Sequence, residues 1–133
     1  MFAPGTKILI ADDMMTMRKI IVKNCKELGF TDFIEAADGQ IAWAKLNEMP
    51  EIGLIISDWN MPNCTGLDLL KRVRADSRFK GLPFMLVTAE SEREQVAEAL
   101  KAGVDNYVIK PFTADSLRQK MGETFTKASS RGK

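Results

Sequence analysis

The sequence predicts a three-layer α/β domain, a doubly wound parallel sheet of five strands with helices on both faces. Three observations carry this reading. Five short runs rich in Ile, Val and Leu recur along the chain, segments with helical spacing separate them in strict alternation, and three of the runs are continuously apolar. Continuous rather than alternating apolarity is what a parallel strand needs when helices cover both of its faces. Strict alternation implies right-handed crossovers and hence the doubly wound arrangement.

The elements follow in order. Lys7 to Ala11 reads as the first strand, and Met17, Ile20, Ile21, Cys25 and Leu28 then recur at helical spacing until Gly29 ends the helix. Phe33 to Ala37 is the second strand, followed by a helix carrying Ile41, Ala42, Leu46 and Met49 before Pro50. The third strand, Gly53 to Ser57, leads to Leu67, Leu70, Val73 and Arg74 and then to the break at Gly81-Leu82-Pro83. Phe84 to Thr88 is the fourth strand, with Val96, Ala97, Leu100 and Ala102 leading to Gly103. Asn106 to Lys110 is the fifth, and Leu117, Met121 and Phe125 mark the last helix, which Gly122 weakens by about 1 kcal/mol relative to Ala. One domain is expected over residues 1–133, with its core at 6–126. The small and basic residues 127–133 read as a frayed, solvated tail rather than a nucleic-acid contact.

Composition removes several function classes. At 133 residues, 45% hydrophobic and 28% charged, the chain has the make-up of an ordinary globular domain with room for a real core. A formal charge of +1 supplies no field to draw nucleic acid or an anionic membrane. Met1 to Thr6 lacks the apolar stretch of a signal peptide and no later run approaches a membrane span, so the cytoplasm is the expected location. Cys25 and Cys64 have neither zinc-site spacing nor a disulfide framework and read as buried thiols. With no His anywhere, Ser-His and Cys-His catalysis, His-ligated metals and histidine autophosphorylation are all excluded. Chemistry here must use carboxylates.

Ligands in an open parallel sheet bind beyond the carboxyl ends of the strands. There the first strand ends in Asp12-Asp13, the third in Asp58, the fourth in Thr88 and the fifth in Lys110-Pro111. Singly these are weak signals, since an Asp pair often turns or caps the chain and a Lys before Pro is normally surface. Together they are not: three converging carboxylates repel and raise one another's pKa unless a cation compensates. Mg²⁺ suits a site of one or two carboxylates, a carbonyl and waters, with Asp13 and Asp58 binding directly and Asp12 through water. Three carboxylates are then balanced by Mg²⁺ and Lys110.

These residues resemble the receiver-domain family of response regulators across residues 6–126. The matching stretches are Asp12-Asp13, Asp58-Trp59-Asn60-Met61-Pro62-Asn63, Gly66-Leu67-Asp68-Leu69-Leu70, Thr88-Ala89-Glu90, and Tyr107-Val108-Ile109-Lys110-Pro111-Phe112-Thr113. The resemblance implies a flavodoxin-like strand order 2-1-3-4-5. It also implies that Asp58 accepts a phosphoryl group from the phosphohistidine of a sensor histidine kinase of chemotaxis type. Thr88 and Lys110 would assist, the Asn60 carbonyl would complete the metal ligands Asp12, Asp13 and Asp58, and a cis bond before Pro111 would aim Lys110 inward. Thr88 and Tyr107 would form the switch. The implied partner face comprises Arg93, Val96, Leu100, Tyr107, Ile109, Phe112 and Lys120, meeting a flagellar motor switch protein or another noncovalent target, with a phosphatase resetting a monomeric regulator. A phosphate sink or relay intermediate is the alternative within the family. At Glu92 and Glu123 the chain departs from the basic residues of chemotaxis relatives, and Glu90, Glu92 and Glu94 also suit the positive end of a helix. A dehalogenase-type phosphatase would need a second acid where Asn60 stands.

Overall fold

The structure, a computed structural model, describes residues 2–89 and 94–131. Its elements are β1 (Lys7–Ala11), α1 (Met15–Glu27), β2 (Asp32–Ala36), α2 (Gly39–Glu48), β3 (Leu54–Asp58), α3 (Gly66–Ala75), β4 (Phe84–Ala89), α4 (Val96–Ala102), β5 (Asn106–Lys110) and α5 (Ala114–Arg131). All strand pairs are parallel, and the order is β2-β1-β3-β4-β5, as the resemblance implied.

The apolar runs divide by period two between two cores. Leu9, Ala11, Ile55, Phe84 and Leu86 face a cluster completed by Ala42 and Leu46 of α2, Leu70 and Val73 of α3 and Ala99 of α4. Ile8, Ile10, Leu54, Ile56, Met85 and Val87 face Ile21 and Cys25 of α1 and Leu117 and Met121 of α5. Successive strand side chains point to opposite faces, so a strand buried on both sides must be apolar throughout. Leu46 and Leu70 are wholly buried, and truncating either to Ala would cost about 2–5 kcal/mol.

Several boundaries differ from the sequence reading. β3 begins and ends one residue later, which makes Asp58 its last residue, and β4 continues through Ala89. Gly29, at φ 100°, follows α1 where a left-handed residue is needed. The expected frayed tail is corrected for 127–131: α5 runs to Arg131, because residues such as Lys127 and Ala128 sustain a helix whose inner face is anchored by buried Thr124. Ile20 and Ile41, counted in the apolar stripes of α1 and α2, are 48% and 41% exposed, lying at the edge of each stripe.

Candidate functional site

At the carboxyl end of the sheet, β1 and β3 are neighbours, and their ends bring Asp12, Asp13 and Asp58 together. One carboxylate oxygen of each lies within 4.8 Å of the others. Asp12 is fully buried: Oδ1 accepts from the Met14 amide at 2.9 Å, while Oδ2 has no hydrogen-bond partner among the described residues and lies 3.6 Å from Lys110 Nζ. Asp58 is 6% exposed; its Oδ1 accepts from the Trp59 amide at 2.9 Å and sits 3.1 Å from Lys110 Nζ. Asp13 stays exposed. The Lys110–Pro111 bond is cis, as the resemblance implied.

Lys110 is shared by two buried acids, Asp12 and Asp58, and the electrostatics record the imbalance. Burial, then the charge of Asp12, pushes Asp58 up to about 6 against the pull of Lys110. Burial likewise raises Asp12, opposed by the Met14 amide and Lys110. Burial works against the charged form of Lys110, but Asp58 and Asp12 together outweigh it and hold its pKa above the ordinary lysine value. Uncompensated negative charge and a buried carboxylate oxygen without a donor are the features a hard divalent cation satisfies, so these residues fit Mg²⁺.

Thr88, near the end of β4, is fully buried, and its hydroxyl has no hydrogen-bond partner among the described residues. An unpaired buried hydroxyl costs about 1–3 kcal/mol and is stabilised by any acceptor brought to it.

The loop from β3 to α3 is held on several sides. The Gly66 amide donates to the Trp59 carbonyl at 2.9 Å, and a Cβ at Gly66 would collide with the Asp58 carbonyl oxygen, so only glycine lets α3 start this close to the site. Asn63, at φ 66°, donates to Asp38 Oδ2 at 2.8 Å, while Asp38 Oδ1 caps α2 at the Ile41 amide. Asn60 is exposed within this loop.

A profile described as the response regulator receiver domain matches residues 8–122. The chain belongs to the receiver-domain family. Among curated receiver proteins it is 49% identical over 123 residues to the chemotaxis protein CheY of Pseudomonas aeruginosa, covering 92% of this chain and 98% of that one. To the chemotaxis protein CheY1 of Helicobacter pylori it is 48% identical over 115 residues, covering 86% and 93%. The receiver fold is matched by the chemotaxis response regulator CheY4 of Vibrio cholerae, with a TM-score of 0.82 at 31% identity, covering 90% of this chain and 98% of that one.

The expected partner face is brought together only in part. Leu100 is 50% exposed, Tyr107, Ile109 and Phe112 are half-buried, and Lys120 Nζ lies 5.4 Å from the centre of the Tyr107 ring. Val96, the first residue of α4, is only 8% exposed, which leaves little of its side chain for a contact face. Arg93 lies outside the described residues, as do Glu90 and Glu92. The sequence reading missed Arg18, Glu35 and Asp38. Asp38 before Gly39 was detectable as a helix N-cap; Arg18 and Glu35 carried no local signal. No helix among the described residues is long and apolar enough to cross a membrane.

Proposed function

We propose that this receiver accepts a phosphoryl group on Asp58 from the phosphohistidine of a sensor histidine kinase and thereby changes its hold on a chemotaxis partner in the cytoplasm. The observation that carries the reading is Lys110 held between Asp58 and Asp12, at 3.1 and 3.6 Å, inside a cluster of three carboxylates. Among the described residues the donors to Asp58, the Trp59 amide and Lys110, both lie on Oδ1, which leaves Oδ2 for attack on phosphorus. As the new O–P bond forms the P–N bond breaks, and the departing imidazole keeps the electron pair and takes a proton from solvent. Alignment and charge stabilisation do most of the work in such a transfer. Lys110 positions Asp58 and neutralises the incoming phosphoryl oxygens. Asp13, Asp58 and the Asn60 carbonyl would hold Mg²⁺, with Asp12 reaching it through water; when bound, the ion supplies the remaining positive charge that the phosphoryl oxygens require.

Transfer replaces a monoanion by a dianion. The buried Thr88 hydroxyl, which has no partner among the described residues, then turns to the phosphoryl group, and the half-buried Tyr107 ring moves into the space it leaves. Both belong to the β4–β5 pair, so the change reaches the face of Leu100, Ile109, Phe112 and Lys120 that meets the motor switch protein. Retention of motor switch protein on the immobilised chain with beryllofluoride and Mg²⁺, and not without beryllofluoride, is the expected result. Equal retention in both conditions would refute the switch. On the metal side, Mg²⁺ should quench Trp59, whose amide donates to Asp58, and Asp13→Asn should shift the response to higher Mg²⁺ concentration.

A further inference from the structure

Behind the carboxylate cluster, outside the residues that touch metal or phosphate, lies a bracket made by α1 and β2. Arg18 NH1 donates to the main-chain carbonyl of Asp12 at 2.7 Å, and Arg18 Nε donates to Glu35 Oε1 at 3.0 Å. Glu35 is fixed in turn by Lys19 Nζ on Oε2 at 2.7 Å. The Arg18 side chain is 13% exposed, so this is an enclosed arrangement rather than a surface ion pair. Lys19 and Arg18 together hold Glu35's pKa below the ordinary carboxylate range, the Lys19 hydrogen bond leading.

The geometry points to Arg18, backed by Glu35, as the positioning residue for the acidic pair Asp12-Asp13. The carbonyl that Arg18 holds belongs to the peptide joining those two residues. On its other sides Asp12 is pinned by its amide on the Ala36 carbonyl at 3.0 Å and by the Met14 amide on Oδ1 at 2.9 Å. Asp13, by contrast, is exposed, and its carboxylate makes no hydrogen bond or ion pair with a described residue. Its direction therefore follows from the peptide plane behind it, and Arg18 sets that plane. A planar guanidinium holds a carbonyl and a carboxylate on two edges in a fixed geometry, which a lysine ammonium, a point charge on a flexible stem, does not reproduce. Metal sites depend on such outer partners, whose loss typically lowers metal affinity by about 10- to 100-fold.

This inference rests on the Mg²⁺ site proposed above, and its sign separates it from simple electrostatics. Arg18 is a cation near a cation site, so by charge alone its removal would tighten Mg²⁺ binding. Positioning predicts the opposite. Mg²⁺ is titrated into the wild-type chain, Arg18→Ala, Arg18→Lys and Glu35→Ala by calorimetry and fluorescence, with thermal unfolding in chelator as a check on folding. The expected result is a loss of about ten-fold or more in Arg18→Ala, a comparable loss in Arg18→Lys despite its retained charge, and a smaller loss in Glu35→Ala. In an Asp13→Asn background the further loss from Arg18→Ala should shrink to within about two-fold, because the ligand it aims is gone. Unchanged or tighter binding in folded Arg18→Ala, or an equal loss with and without Asp13, overturns the inference. Should Arg18→Ala not fold, wild-type affinity in both Arg18→Lys and Glu35→Ala overturns it. Absence of Mg²⁺ binding by the wild-type chain would instead overturn the site itself.

Discussion

Replacing Asp58 with Asn should make the metal-free protein more stable, even though it removes the proposed phosphoacceptor. A free aspartate titrates near about 3.9, whereas Asp58 in the fold is pushed up to about 6 by burial and by Asp12. A carboxyl with a raised folded-state value opposes folding where both states are ionised. The opposition fades as pH falls through the folded value and is gone below the unfolded one. Two pKa units correspond to about 3 kcal/mol, an upper bound because the neutral amide put in place of the carboxylate also loses the attraction of Lys110. Urea unfolding of wild type and Asp58→Asn in chelator should show the variant ahead by up to about 3 kcal/mol near pH 8, by roughly half that near pH 5, and by nearly nothing below about pH 4. Added Mg²⁺ should stabilise the wild type more than the variant and close the gap. A variant less stable than wild type in chelator near neutral pH, or a difference independent of pH, would refute the reasoning.

Cys25 lies fully buried with its thiol pushed up to about 12 by burial, so the folded state resists its ionisation while the unfolded chain does not. Stability should fall between about pH 9 and 12, and Cys25→Ala should remove about 1.4 kcal/mol of that loss at about pH 10 in paired urea titrations. Gly66→Ala forces a methyl against the Asp58 carbonyl and should cost about 1–3 kcal/mol, with Mg²⁺ affinity reduced as the strand end shifts; wild-type values for both by calorimetry would argue against the close approach. Asp105 is buried, accepting from Arg74 NH2 at 3.0 Å and the Phe84 amide at 2.9 Å. Asp105→Ala should cost about 3–5 kcal/mol in thermal or urea unfolding, since it takes the buried carboxylate away from an enclosed guanidinium.

The layers and the strand-end residues were legible because both follow from local pattern. Each apolar run announced a two-sided strand, and the polar residues after Ala11, Ile56 and Val87 could be located by counting to the strand end. Pairings across the chain were not legible. Arg18 meets Glu35 across 17 residues, Asn63 meets Asp38 across 25, and Arg74 meets Asp105 across 31, and no periodicity encodes such contacts. Arg74 was read as part of the apolar stripe of its helix; its stem does lie inward, but its guanidinium joins α3 to the Gly103 and Leu82 carbonyls. Val96 looked like a contact residue because the resemblance supplied a face, while its burial depends on tertiary packing that the sequence does not spell out. The departures at Glu92 and Glu123 have separate outcomes: Glu92 lies outside the described residues, and Glu123 accepts from Asn106 Nδ2 at 2.9 Å, tying α5 to β5.

The central claim is that Asp58 receives the phosphoryl group. Acetyl phosphate with Mg²⁺, followed by intact mass and peptide mapping, tests it most directly. One phosphoryl unit on the wild-type chain, mapped to Asp58 and absent both from folded Asp58→Asn and from wild type in chelator, is the predicted result. Stoichiometric labelling of Asp58→Asn, or of wild type at a residue other than Asp58, would contradict it.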